Sequence, residues 1–127
     1  MEEVKTDDAP APIGPFSQGI IDGDVLHVSG QGPADPETRE VLVDGVQEQT
    51  EQVLENIAAV LEAGGASMDD VVKTTVYMAD MDNYGEVNEV YGEYMSEPYP
   101  ARAAVEAARL PLDNIHVEIR ATASLKE

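Results

Sequence analysis

Midway along the chain the spacing of the apolar residues changes from helical to extended. Val46, Thr50, Val53, Ile57 and Leu61 recur every third or fourth position, which lays them along one stripe of a helix, and Gly64-Gly65 follows where a C-terminal cap belongs. Shortly afterwards Val72, Thr74, Val76 and Met78 alternate with Lys73, Thr75 and Tyr77, a β-branched strand pattern. A helix feeding directly into a strand requires a sheet for the helix to lie on, so the chain is predicted to be α+β.

The flanking segments extend this pattern. Residues 16–21 and 25–29 read as two short strands about Asp22-Gly23-Asp24, a hairpin signal, and residues 33–40 carry two prolines and several charges, as a loop does. A second helix is expected to begin near Asp82-Asn83, to bury Val87, Val90 or Tyr91, and Met95, and to end before Pro98 and Pro100. Residues 101–107 form a short run of small residues. Ile115, Val117, Ile119 and Ala121 then alternate with His116, Glu118, Arg120 and Thr122 as a half-buried strand, with 110–114 as the turn between. The expected order is hairpin, helix, strand, helix, strand, strand, with both helices on one face of a mixed sheet. At 127 residues with 43% apolar content, the chain is read as one domain over 1–127.

With 26 acidic residues against seven basic ones the net charge is −19, a field that repels phosphate backbones and anionic membranes. No nucleic-acid or membrane partner is therefore expected. The acidic residues are spread along the whole chain, which suggests a protein adapted to high salt. The expected result is an unfolding midpoint that rises between low and molar salt; a melting curve unchanged over that range excludes the idea. No run of about 18 apolar residues is found, and the start is acidic rather than basic, so a cytoplasmic location is expected. Without cysteine there is no disulfide framework or thiolate nucleophile. His27 and His116 stand outside any metal-binding spacing, and no phosphate-cradling glycine loop precedes a helix, so neither metal nor nucleotide cofactor is implied.

Among residues able to carry chemistry, Arg102 stands out because it lies between Ala101 and Ala103 with no acidic neighbour in sequence. Its fixed fork of donors then needs a partner from elsewhere in the fold, as in a salt bridge, or from a ligand, for which a carboxylate is the best geometric match. Glu118 is set opposite the apolar face of the last strand. Such a residue is either simply solvated or, if partly desolvated, suited to general-base work. Ser29 and Gly30 end the second strand, where a hydroxyl and bare backbone face either a turn or a ligand. A Ser29–His27 nucleophile pair is disfavoured, since VSGQG at 28–32 lacks the elbow pattern of serine hydrolases.

Four stretches in order, IGPFSQG at 13–19, VSGQG at 28–32, PARAAVEAARLP at 100–111 and HVEI at 116–119, closely resemble the RidA family (YjgF, UK114) of reactive-intermediate deaminases. VKTTVYMADM and VNEVYGEYM lie between them, and the resemblance runs from Ala9 to Ala123. It implies a chorismate-mutase-like α+β fold assembled as a homotrimer, with pockets in the clefts between subunits. It also implies cofactor-free hydrolysis of short 2-imino acids, such as 2-iminobutanoate and 2-iminopropanoate, to 2-oxo acids and ammonia. By the same resemblance Arg102 holds the substrate carboxylate and Glu118 orients or activates water. Ser29 and Gly30 bind substrate, while Phe16 and Asn88 shape the pocket.

Four positions depart from the family pattern. Phe16 stands where tyrosine is usual, removing a hydroxyl; Arg120 replaces a second acidic residue common there and is expected to lower the basicity of Glu118; Ala104 and Gly32 replace larger side chains and are expected to widen the pocket. Two other readings are a noncatalytic trimeric module that binds a small carboxylate, and the ribonuclease or translation-inhibitor activity attributed to some relatives. For the last, Tyr77, Tyr84, Tyr91, Tyr94 and Tyr99 are the residues available to stack bases.

Overall fold

The computed structural model describes residues 1–41 and 45–126. Ten elements follow in order: β1 (Glu2–Val4), β2 (Gly19–Asp22), β3 (Val25–Gln31), α1 (Val46–Ala63), a 3-10 turn (Met68–Asp70), β4 (Val71–Met78), a second 3-10 turn (Met81–Asn83), α2 (Tyr84–Tyr94), β5 (Ala101–Glu106) and β6 (Val117–Ser124). The six strands form one sheet in the order β1-β2-β3-β6-β4-β5. Only β4 and β5 run parallel, joined by the α2 crossover, so the sheet is mixed as expected.

Local signals explain the first half. The β2–β3 hairpin turns through Gly23-Asp24, with Gly23 at φ 62°, the left-handed value that a tight two-residue hairpin needs at its first position. Helix α1 buries Val46, Thr50, Val53, Ile57 and Leu61, the stripe read from sequence, and closes where Ala66 N–H donates to the Leu61 carbonyl at 2.8 Å and Gly65 N–H to Glu62 at 3.0 Å. The stripe packs in one cluster with Leu26 and Val28 of β3, Val76 and Met78 of β4, Val87, Val90 and Tyr91 of α2, and Val117, Ile119 and Ala121 of β6. Both helices therefore cover the same face of the sheet, and the opposite face, carrying His27, Thr75, Glu118 and Arg120, lies outside this core.

The structure departs from the sequence reading at two strands. β1 was not expected, because Val4, buried at 4% exposure, is the single apolar residue in a segment that otherwise reads as an acidic tail. In β4 the alternation holds for Thr74, Val76 and Met78 but fails at Val72, which is 49% exposed while Val71 is buried. The cause is a register shift against β6 between Val71 and Lys73, a bulge that moves one residue to the other face.

Three buried amide side chains fasten loops to this frame. Gln18 donates to the carbonyls of Thr6, Ala9 and Pro10 and accepts from Thr6 N–H. Gln49 accepts from His116 N–H at 2.7 Å and donates to the Asn114 carbonyl at 3.0 Å. Asn56 donates to the carbonyls of Gly32 and Ala34, each at 3.0 Å. Asn56→Ala leaves both carbonyls without that donor, and its expected cost is about 2 kcal/mol of stability, read as a lowered urea midpoint at unchanged slope.

Candidate functional site

The ends of β3 and β6 meet at a second irregularity. Val28 pairs with Ala121 but Gln31 pairs with Ile119, so β3 carries one extra residue at Ser29-Gly30. The bulge brings the Gly30 backbone against Glu118: a Cβ added at Gly30 would lie 2.5 Å from Glu118 Oε2. Gly30, Ser29, Phe16 and Glu118 line a hollow of about 460 Å³. Its other walls come from Pro10 and Ile13, on the segment next to the Gln18 anchor, and from Leu112 in the β5–β6 turn. Phe16, 48% exposed, supplies an aromatic wall without a hydroxyl. Gly32 also lines the hollow, and a Cβ there would meet only Ile115 Cδ1, at 4.0 Å, so the space a larger residue would occupy is open.

Glu118 is half-buried in this apolar setting, and loss of solvent raises its carboxyl above the ordinary glutamate value. The expectation that Arg120 lowers its basicity is corrected. Arg120 lies two residues along the same face but directs its Nε toward Thr75 Oγ1 at 3.5 Å, and the Glu118 shift is upward with desolvation as its cause. A carboxyl with a raised folded-state value makes the fold less stable as pH rises from the ordinary glutamate value through the raised one. Glu118→Gln is therefore expected to unfold at a higher denaturant concentration than the parent at neutral pH, and at the same concentration in acid, below the ordinary glutamate value. Gly30→Ala forces the Glu118 carboxylate to swing away, and its expected outcome is an unfolding midpoint little changed in urea, since only the end of a flexible side chain has to move.

Ser29 is fixed by its surroundings. Its Oγ donates to the Ser17 carbonyl at 2.5 Å and its N–H to the Gln18 carbonyl at 2.9 Å, so its proton is committed to the scaffold and its hydroxyl can meet a ligand only as an acceptor.

Arg102 and Asn88 are elsewhere. In the parallel β4–β5 pair, Arg102 is opposite Thr74, whose buried hydroxyl is bonded to Tyr91 Oη at 2.7 Å, so Arg102 shares the helix-bearing face of the sheet. Its guanidinium carbon sits 4.8 Å from the Tyr91 ring centroid and 5.4 Å from that of Tyr84, and Nη2 donates to Tyr84 Oη at 2.9 Å. Asn88 lies one turn beyond Tyr84 on α2, and its amide first, with Arg102 second, holds the phenol below its ordinary value. Among the described residues no acidic side chain pairs with Arg102. Glu118, by contrast, is paired with Tyr77 on the face opposite the helices. The six expected site residues thus fall into two groups, Phe16, Ser29, Gly30 and Glu118 in the hollow and Asn88 with Arg102 on the other side of the sheet.

Tyr84 was read only as a base-stacking candidate, whereas Tyr91 was also read, with Val90, as a residue the second helix buries, and both Val90 and Tyr91 are buried. Tyr91 lies beneath the arginine, and the Tyr94 hydroxyl is bonded to Glu55 at 2.7 Å. Among the described residues no three His, Asp or Glu side chains gather to hold a metal ion, and no helix is long and apolar enough to cross a membrane.

Sheet and sites together define a small α+β protein with two helices on one face, presenting a stacked guanidinium beside the helices and a desolvated carboxylate on the open side. The family model described as Endoribonuclease L-PSP matches residues 6–125. A RutC family protein of Pyrococcus horikoshii is 52% identical over 96% of both chains. Reactive Intermediate Deaminase A of Arabidopsis thaliana, chloroplastic, is 43% identical over 98% of this chain and 66% of its own. The crystal structure of E. coli TdcF with bound serine superposes with a TM-score of 0.91 at 36% identity, over 98% of each chain. The chain belongs to the RidA (YjgF) family.

Proposed function

We propose that the protein is a 2-iminobutanoate/2-iminopropanoate deaminase acting without a cofactor. The observation that carries this reading is Arg102, a guanidinium held over the Tyr91 ring with no acidic partner among the described residues. Such a group is a carboxylate receptor waiting for its anion. The serine bound to TdcF is itself a small carboxylate, and the plant relative bears the name of a deaminase of reactive intermediates.

Arg102 and Glu118 lie on opposite faces of one sheet, so a single substrate reaches both only where two copies of the chain meet. The reading therefore includes an assembly, the homotrimer, whose clefts join Arg102 and Asn88 of one copy to the hollow of the next. There the carboxylate sits on Arg102, and the Gly30 backbone with the Ser29 oxygen orients the imine. The Glu118 carboxylate, made more basic by its apolar setting, takes a proton from water as the oxygen adds to the imine carbon. Protonation of nitrogen and collapse of the aminoalcohol break the C–N bond, giving 2-oxo acid and ammonia from imine and water. Phe16 walls the side chain of the substrate.

The test is the rate of 2-oxobutanoate formation from 2-iminobutanoate generated in situ by a threonine dehydratase, at molar salt. Acceleration proportional to added protein is the expected result. Binding of 2-oxobutanoate without acceleration favours the noncatalytic carboxylate-binding module, the second reading, for which the missing hydroxyl at Phe16 is the motive.

A further inference from the structure

The Tyr84 oxygen accepts a hydrogen bond from Arg102 Nη2 at 2.9 Å. A phenol oxygen has one proton and two lone pairs, and a guanidinium, which can only donate, uses a lone pair and leaves the proton. Tyr84 is 42% exposed, so this hydroxyl is open to a ligand beside the guanidinium, while Tyr91 beneath offers only its ring face because its own hydroxyl is engaged by Thr74. Asn88 lies one turn further along α2 and also acts on the Tyr84 hydroxyl.

We infer that the Tyr84 hydroxyl is a further substrate-binding group, a third donor that meets the carboxylate gripped by Arg102, and that Asn88 is a positioning residue acting through it. The inference rests on the carboxylate-capture reading above. Arg102 is held at one end by Tyr84 and underneath by Tyr91, so its outer N–H groups present a fixed edge, and the O–H beside that edge extends it. Arg102 and Asn88, which hold the phenol below its ordinary value, also polarise its O–H bond, which makes it a stronger donor to an anion. A carboxylate is thereby favoured over a neutral amide of the same shape, which has only one oxygen to accept from three donors.

The experiment is calorimetric titration of the full-length protein with 2-oxobutanoate at neutral pH, for the parent, Tyr84→Phe, Asn88→Ala, the double variant and Arg102→Ala. Tyr84→Phe is expected to weaken binding about tenfold, the scale of one hydrogen bond to a charged group. With imine as substrate the loss should fall in KM, with less than a twofold change in kcat. Asn88→Ala is expected to weaken binding about threefold on its own and to add nothing in the Tyr84→Phe background, as positioning through the hydroxyl requires. If Tyr84→Phe binds as tightly as the parent while Arg102→Ala does not bind, the inference fails and carboxylate capture at Arg102 stands. Additive losses from Asn88→Ala and Tyr84→Phe overturn the positioning role. A parent protein that takes up no 2-oxobutanoate overturns both the functional reading and the inference.

Discussion

Arg102→Ala is expected to lower kcat/KM for 2-iminobutanoate by about a hundred- to a thousandfold, the range for removing one partner of a hydrogen-bonded charge pair. The side chain is lost from an edge strand where it stacks on tyrosines and pairs with no acid among the described residues, so the fold should tolerate the change and the unfolding midpoint should stay near that of the parent. Arg102→Lys is the sharper case. An ammonium keeps the charge but is neither planar nor forked, so it cannot reproduce the placement of a guanidinium over Tyr91 at 4.8 Å or hold Tyr84 and a carboxylate in one plane. It should lose nearly as much as alanine. Activity within a few-fold of the parent in the lysine variant would mean that Arg102 acts as a point charge and not as a shaped receptor.

Arg102→Ala and Glu118→Ala, each inactive alone, are expected to regain activity when the two proteins are unfolded, mixed in equal amounts and refolded together. Every site in the proposed assembly takes its arginine from one copy and its glutamate from the next. A random mixture supplies an intact arginine half the time and an intact glutamate half the time, so about a quarter of the sites are complete. Recovery to about one quarter of parental activity, from two proteins with essentially none, is a large signal measured by the same ketoacid assay. No recovery, with assembly verified by sedimentation, would place both groups of one site on one chain and contradict the opposite-face geometry of β4–β5 and β4–β6.

What the sequence revealed follows from the range of the interactions involved. The hairpin at Gly23 and the stripe of α1 are set by neighbours a few residues apart, and both were legible. The misplacement of Val72 came from a bulge opposite Thr122 and Ala123 of β6, a strand far along the chain, and no pattern inside β4 announces it. The resemblance named Arg102, Asn88 and Glu118 but not Tyr84. The bond between Tyr84 and Arg102 spans the α2 crossover and depends on β5 pairing in parallel with β4 at Thr74. The separation of the six site residues into two groups became visible only once strand register assigned Arg102 and Glu118 to opposite faces.

The amide anchors have a bearing on how this protein ages. Gln18, Gln49 and Asn56 hold the loops around the hollow by aiming NH₂ groups at backbone carbonyls. Spontaneous deamidation exchanges that NH₂ for an oxygen, changing the mass by about one dalton while putting a charged acceptor against another acceptor. At Asn56 one such event would set a carboxylate against the carbonyls of Gly32 and Ala34. The tight packing that makes these amides useful also shields them from water, so the folded state protects its own chemistry. Each excursion to the unfolded chain exposes them, and damage accumulated there would return as molecules that no longer close their loops.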